Sequence, residues 1–386
     1  MEKIVVSLTS YPERIQTVYK VIESLFNQTE KADRIILWLS RQEFAANNCE
    51  LPTNIRNMLG KNGFDVEWVE KNLRSHKKYF YALQQCSNAI VITVDDDVIY
   101  SETLISDLIS SYRKFPHAIS ARRVRVILRE GTKLAPYVDW DNYISEEEIN
   151  VPREDLCAIG VGGILYPPFC ASKEWFDENK IRELAQNQDD LWLKFNEIRE
   201  SYPVVYTKSI KKDIQIESGQ KTALSLKNMD GGDNDICIQK LTFDVEKNYL
   251  EVYKKWFLSL NQKEEYTYLK KKLYRDKLRS LFLKMKDIPI FLFGAGERAK
   301  KVINCLNELD LKNGIENIIV SDKLNNPQIL EGIKVKQIDE ICLAKEFGII
   351  CGVSDVYRKE MLELLKKYNY KYVEIDVKEI LHYYVK

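Results

Sequence analysis

Two rhythms of apolar positions alternate along the first 125 or so residues. Ile4–Leu8, Ile35–Leu39 and Val66–Val69 are short, β-branched-rich runs that predict strands. Between them, Glu13–Gln28 places Ile15, Val18, Tyr19, Ile22, Leu25 and Phe26 on one face at helical spacing. Lys77–Gln85 predicts a further helix, and Leu104, Ile105, Leu108, Ile109 and Tyr112 mark another. The run Ala89–Val94 has no polar alternation, which predicts a central parallel strand buried on both faces. Strand–helix alternation of this kind predicts an α/β fold, a mostly parallel sheet with helices on its faces.

The pattern changes at Ile119. Val124, Val126 and Leu128 interleave with Arg123, Arg125 and Arg129, as in a half-buried strand with one basic face. Pro136–Pro168 is loop-rich, a helical stretch follows Trp175, and strands are expected around Val204 and Ile214. Gly219–Asp235 reads as a polar, glycine-containing loop. A second α/β rhythm begins with strand Ile288–Phe293, then a glycine turn and a helix carrying Val302, Ile303 and Leu306. Strands Ile318–Val320, Ile349–Val353 and Tyr372–Ile375 follow. With 386 residues the chain exceeds the roughly 250–300 that one core serves, so two domains are expected: 1–260 and 287–386, joined by a basic helical linker over 261–286.

Composition narrows the class. Hydrophobic content of 45% and charged content of 30% are those of an ordinary globular chain, and a net charge of zero gives no reason to expect nucleic acid as partner. No apolar stretch approaches the ~18–20 residues of a membrane span, and the start MEKIVVSLTSYPERI reads as a first strand and turn, not a signal peptide. The eight cysteines are dispersed without a CxxC pair, which predicts a reducing cytoplasm and neither disulfide framework nor zinc site. Three histidines, His76, His117 and His382, rule out a histidine-rich metal centre. Lys254–Lys286 carries eleven Lys/Arg against three acids, with Leu269, Leu273, Leu278, Leu281 and Met285 at roughly helical intervals. Such a helix packs between domains or lies on the inner face of an anionic membrane as a peripheral contact.

The candidate chemistry centres on Asp95, Asp96 and Asp97, where the Ala89–Val94 run ends. Ligands of open α/β sheets bind at the C-terminal ends of the strands. Three adjacent carboxylates there repel one another unless cations offset them, and Mg2+ typically takes one or two carboxylates beside water and phosphate oxygens. Asp189 and Asp190 open a second acidic site at the start of an expected helix, where they also complement the helix dipole. The run from Arg74 through Ser75, His76, Lys77 and Lys78 to Tyr79 puts three fixed cations at another helix start, a place suited to nucleotide phosphate. The stretch Gly160–Tyr166, with Gly162 and Gly163, lets backbone approach a sugar closely. Tyr166, Trp140 and Trp192 are candidate stacking faces for an acceptor, with core packing as the competing role.

On VDDDV, the β-α-β start and the downstream QDDLW, the first ~260 residues resemble the GT-A glycosyltransferases, in particular the family-2-like bacterial enzymes of surface polysaccharides. The resemblance implies Mn2+ or Mg2+ on Asp95 and Asp97, holding the diphosphate of a nucleotide sugar, with a UDP-sugar favoured. It also implies a base, Asp189 or Asp190, that takes the acceptor proton in an inverting transfer to a glycan or lipid-linked glycan. Thr9, Ser10, Tyr11 and Arg14, after the first strand, are implied at base and ribose, together with Asp95 and Asp96. The chain departs from the pattern in lacking any histidine between His117 and His382, which leaves Asp233, Asp235 or water for the metal shell, and in lacking QxxRW. The last ~100 residues resemble a short Rossmann-type nucleotide-binding unit: GAGERA supplies Gly294 and Gly296, and Asp322 closes the next strand. That unit serves either ligand binding or packing and homo-oligomerisation. The alternative functions are an NAD(P)-linked nucleotide-sugar oxidoreductase or epimerase centred on this glycine turn, or a sugar nucleotidyltransferase. No Tyr-x-x-x-Lys pair suits the first, and Ser7–Arg14 lacks the glycines of the second.

Overall fold

The computed structural model describes residues 2–383 except 48, 143, 210, 217–231, 286, 323, 325, 341–345, 354, 368–370, 376 and 378–381. The chain forms two compact units, Met1–Lys263 and Glu264–Lys386. The loop expected over Gly219–Asp235 lies largely outside the described residues.

The first unit is built on an eight-stranded mixed sheet, rich in parallel pairs. Its parallel half comprises β1 (Ile4–Thr9), β2 (Arg34–Ser40), β3 (Phe64–Val69) and β4 (Ile90–Thr93), in the order β4-β1-β2-β3. The short strand β5 (Val98–Ile99) follows the acid triplet. Beyond β4 the directions mix. β6 (Ile119–Ala121), β7 (Val124–Val126), the hairpin β8 (Arg129–Glu130) and β9 (Lys133–Leu134), β10 (Pro152–Arg153), β11 (Leu156–Ala158), β12 (Ile164–Tyr166), β13 (Val204–Tyr206) and β14 (Ile214–Gln215) complete the strands. β12 runs antiparallel to both β4 and β6, and β6 pairs in parallel with β13. β14 pairs antiparallel with β5, and the Ile216 N–H donates to the Asp97 carbonyl at 2.8 Å.

All four residues of β4 are buried, as the unbroken apolar run requires. Helices α1 (Val18–Phe26), α2 (Arg41–Ala46), α3 (Thr53–Arg56), α4 (Lys77–Gln85) and α5 (Leu104–Lys114) cover the parallel half. α6 (Glu178–Leu184), α7 (Asp189–Glu200) and the 27-residue α8 (Asp233–Ser259) follow. The α1 face Val18, Val21, Ile22 and Leu25 is buried in the core with Ile4, Val6 and Leu8, and truncating Ile4, Leu8, Ile22 or Leu25 to alanine costs ~2–5 kcal/mol. α1 starts later than its periodicity suggests. The N–H groups of Arg14 and Ile15 both donate to the Tyr11 carbonyl at 3.0 Å, closing a turn before the helix begins.

The second unit holds a six-stranded sheet of β15 (Ile290–Phe293), β16 (Ile315–Val320), β17 (Ile329–Leu330), β18 (Ile333–Gln337), β19 (Glu346–Cys351) and β20 (Lys371–Ile375). The order is β17-β18-β16-β15-β19-β20, parallel except for the β17–β18 hairpin. Its helices are α9 (Lys263–Lys284), which begins at the unit boundary, α10 (Glu297–Glu308) and α11 (Asp355–Lys367). α9 differs from the expected amphipathic helix. Its buried stripe is Tyr266, Lys270, Tyr274, Leu278 and Phe282, four residues apart, while Leu269 and Leu273 are exposed. Among the described residues no helix is long and apolar enough to cross a membrane.

Candidate active site

The acid triplet lies at the C-terminal end of β4, and the fold brings four other segments to it. The turn after β1 supplies Ser10 and Arg14. Ser10 Oγ donates to Asp96 Oδ2 at 2.6 Å, and Arg14 Nη1 reaches Asp96 Oδ1 at 2.9 Å and Asp97 Oδ2 at 3.0 Å. The first turn of α4 supplies Lys78, anchored through its backbone: Ser7 Oγ donates to the Lys78 carbonyl at 2.5 Å, and Trp38 Nε1 donates to Ser7 Oγ at 2.9 Å. The Lys78 ammonium bridges Asp95 Oδ1 at 2.6 Å and Asp189 Oδ2 at 3.0 Å. The start of α7 supplies Asp189 and Asp190. The turn Gly160–Gly162 closes the cluster, its Gly160 N–H donating to Asp190 Oδ1 at 3.0 Å. Tyr100 ties the two turns together, since its hydroxyl accepts the Asp95 N–H at 2.9 Å and donates to the Val161 carbonyl at 3.3 Å.

Five carboxylates therefore surround two cations. Burial, then the neighbouring Asp95, push the Asp97 carboxyl up to about 6 against the pull of Arg14. Burial also raises Asp96. Burial alone would lower the Lys78 ammonium, but Asp189, Asp95 and Asp190 outweigh it and hold it well above its usual value. Burial likewise opposes ionisation of Asp189, yet Lys78 and His76 together keep its carboxyl below the usual range. Asp190 goes the other way: burial and the charge of Asp189 hold it well above that range. One acid of the pair is thus charged and locked to Lys78. The other is poised to take a proton, and it is also the less enclosed of the two.

Asp95 and Asp97 suit the one or two carboxylates that Mg2+ or Mn2+ takes when diphosphate and water complete its shell. Among the described residues no group of three or more His, Cys, Asp and Glu forms a cage for a metal by itself. Asp235 does not join them: its Oδ1 accepts the Tyr137 N–H at 2.8 Å.

Several expected contacts are placed differently. Lys78, read from sequence as a phosphate ligand, is spent on carboxylates, and its side chain is 5% exposed. Arg14 and Asp96, expected at base and ribose, bind each other. Thr9 Oγ1 donates to the Trp38 carbonyl at 2.8 Å, and the Arg14 guanidinium lies over the Tyr11 ring at 5.4 Å. Lys77 is buried and held by Glu43 at 3.1 Å and Asn72 at 3.2 Å. Arg74 donates to Asn187 Oδ1. His76 is buried and lowered by burial, its ring nitrogens bound to the Tyr79 hydroxyl at 2.9 Å and the Ala185 carbonyl at 2.8 Å, so it fastens α4 to the segment before α7.

The aromatic acceptor candidates are core residues. Tyr166, Trp140 and Trp192 are all essentially inaccessible. Tyr166 packs edge-on to Trp175, Trp192 Nε1 donates to the Trp175 carbonyl at 2.9 Å, and Trp140 Nε1 donates to the Ala135 carbonyl at 2.9 Å. Gly162 and Gly163 are explained by packing. A Cβ on Gly162 would lie 2.6 Å from Arg123 Cβ, and one on Gly163, whose φ is +84°, would lie 2.6 Å from Leu104 Cδ1. Gly160 is the glycine that touches the site: a Cβ there would sit 2.8 Å from Lys78 Nζ, 3.2 Å from Asp190 Oδ1 and 3.5 Å from Asp95 Oδ1. Sequence reasoning quoted it only as part of a glycine run. Tyr100, three residues past the triplet, was missed, and only its place in the same short loop could have flagged it.

In the second unit, Gly294 and Gly296 follow the central strand β15, and Asp322 follows the parallel neighbour β16. Gly294 has φ +97°, and a Cβ there would lie 2.2 Å from Val353 Cγ1, so packing alone accounts for it. Nothing lies within 4 Å of a Cβ built on Gly296. Asp322 Oδ1 accepts the Leu324 N–H at 2.9 Å.

No family model matches the chain, and no curated protein does. Among solved structures, S. aureus TarS (residues 1–349) matches with TM-score 0.36 and 12% identity, over 64% of this chain and 72% of that one. The mannosyltransferase PcManGT from Pyrobaculum calidifontis, in complex with GDP-Man and Mn2+, matches with TM-score 0.34 and 9% identity, over 54% of this chain and 55% of that one. A UDP-glucose pyrophosphorylase from Acinetobacter baumanii matches with TM-score 0.34 and 13% identity, over 67% of this chain and 99% of that one. Likeness at this level carries no functional weight, which rests on the geometry of the site.

Proposed function

We propose that the chain is a metal-dependent, inverting glycosyltransferase of the GT-A type, moving a sugar from a nucleotide-diphosphate donor to a surface-glycan acceptor. The observation that carries this reading is the Lys78 bridge. It joins the acid triplet at the end of β4 to the acid pair at the start of α7, so two carboxylate groups distant in sequence form one site. Inverting transfer needs two acidic functions, one beside the leaving group and one beside the attacking hydroxyl.

In this reading Asp95 and Asp97 hold the divalent cation that, when bound, supplies Lewis acidity to the leaving diphosphate. Arg14 orients Asp97 and offsets the charge of Asp96. Asp190 accepts the proton of the acceptor hydroxyl while that oxygen bonds to the anomeric carbon and the bond from that carbon to the diphosphate breaks. Its raised affinity for protons makes it a stronger base than an ordinary aspartate. Asp189 keeps Lys78 in place, and Lys78 keeps the two acid groups together.

Calorimetric titration of the full chain with UDP, GDP, CDP and NAD, each with and without Mn2+, tests the reading. One nucleoside diphosphate is expected to bind, with an affinity that depends on Mn2+. NAD binding with no metal-dependent nucleotide binding would replace this reading by the oxidoreductase one.

A further inference from the structure

A cavity of about 590 Å³ opens beside this site, lined by Val98, Arg122, Arg123, Val161, Gly162 and the segment Lys212–Gln215. The size falls within the range of ligand sites, roughly 300–1,000 Å³. Its walls are continuous with the catalytic cluster along the chain. Val98 directly follows Asp97, and Val161 and Gly162 directly follow Gly160, whose N–H holds Asp190.

The charges of the lining are not alike. Arg122 is 2% exposed and committed to Asp213 at 3.1 Å and Asp107 at 3.7 Å, so this arginine and Asp213 cancel and serve the fold. Arg123 is exposed, and among the described residues its guanidinium has neither an ion pair nor a hydrogen bond. Lys212 also lines the cavity and is exposed, but it is engaged by an interaction of its own. Val98, Val161 and Ile214 give the groove an apolar side. With Arg122 and Asp213 paired and Lys212 engaged, Arg123 is the charge that the lining presents to a ligand. A planar guanidinium without a protein partner matches a phosphate or carboxylate bidentately.

Resting on the transferase reading above, we infer that this cavity is the acceptor subsite and that it selects an acceptor bearing an anionic group, phosphate or carboxylate, which Arg123 binds. The apolar side takes the face of the sugar ring that carries the group.

The test is a titration of the full chain with glucose 6-phosphate, glucuronate and glucose, followed by saturation-transfer NMR, in the parent, Arg123→Met, Arg123→Lys and Lys212→Met. One anionic sugar is expected to bind at least about tenfold more tightly than glucose, the worth of one charge-assisted hydrogen bond. Preference for glucose 6-phosphate assigns a phosphate-bearing acceptor, and preference for glucuronate a carboxylate-bearing one. Arg123→Met should abolish the preference with melting temperature unchanged, Arg123→Lys should keep part of it, and Lys212→Met should weaken it less. Equal binding of the three sugars, binding of none, or a preference that survives Arg123→Met overturns the inference. Titration of the same samples with UDP and Mn2+ separates the two ideas. UDP binding without anion preference sinks the acceptor assignment alone, whereas anion preference without any nucleotide binding sinks the transferase reading.

Discussion

Replacing Gly160 by alanine adds one methyl group at the point where the two acid groups meet. The added Cβ would stand 2.8 Å from Lys78 Nζ and 3.2 Å from Asp190 Oδ1. Carbon needs about 3.5 Å or more from a neighbouring heavy atom, so the ammonium has to retreat by roughly 0.7 Å. It has little room, being buried and held by Asp95 at 2.6 Å and Asp189 at 3.0 Å. Retreat lengthens the Lys78–Asp95 contact to about 3.3 Å and the Lys78–Asp189 contact to about 3.7 Å, which weakens both, at a cost of up to the ~1.5–3 kcal/mol of one charge-assisted bond. The backbone of Gly160 lies outside the left-handed region, so alanine brings no dihedral strain, and its stiffer unfolded chain returns ~0.4–1 kcal/mol. The net loss of stability is then about 1–2 kcal/mol, whereas displacing catalytic groups by up to an ångström costs about 10²-fold in turnover. The assay is sugar release from the nucleotide donor identified by titration, with melting temperature followed alongside. Turnover within about threefold of the parent, well short of that 10²-fold, would refute the claim that Lys78, Asp95 and Asp190 act as one packed unit.

Two further outcomes follow from the charges. Asp97→Asn removes metal-dependent nucleotide binding yet stabilises the metal-free chain at neutral pH. The folded carboxyl titrates near 6 instead of the ordinary 3.8, so the folded state binds the proton more tightly than the unfolded one. The parent therefore loses stability as pH rises between these values. The difference amounts to at most about 3 kcal/mol above pH 6, read as a gap between the two melting curves that opens from pH 4 to 6 and then stays constant. A gap that closes with rising pH would contradict the assignment. Asp190→Asn lowers turnover by ~10²-fold or more with donor affinity kept, while parent activity falls on acidification as Asp190 takes up its proton. Full activity in Asp190→Asn leaves the residue only its role at the start of α7.

Local pattern made much of this visible in advance. Lys77–Gln85 carries a full helical rhythm, and the structure begins and ends α4 at those residues. The unbroken apolar run before the triplet is the buried β4, and QDD opens α7. What the sequence could not show are pairings between distant segments. Nothing near Lys78 announces that its charge will be claimed by Asp189, since both residues also suit a phosphate or a helix end. The same ambiguity hid the burial of Trp192 and Tyr166, because a large aromatic ring suits a core as well as a sugar face. Ile164–Tyr166 is only three residues long and flanked by glycine and proline, too short for any rhythm to reveal its direction. In α9 the stripe is built from Tyr266, Lys270 and Tyr274, whose long stems bury their apolar parts, so a count of leucines found the buried Leu278 but added the exposed Leu269 and Leu273.

The reversed direction of β12 has a consequence for how such a protein can diversify. In an all-parallel sheet only segments leaving a strand reach the edge where Asp95–Asp97 sit. Because β12 runs antiparallel to β4, the segment entering it, Gly160–Gly163, arrives at that same edge. The excursion from Val126 to Ala158 hangs from this entry point and is stapled at its base by the β7–β11 pair. Only its exposed turn, Glu130–Lys133, is free to vary, because Trp140 is buried and β10 forms the edge of the main sheet against β13. The corner that holds Asp190 is thus set by the direction of β12 and by the β7–β11 pair, whatever the exposed turn Glu130–Lys133 carries.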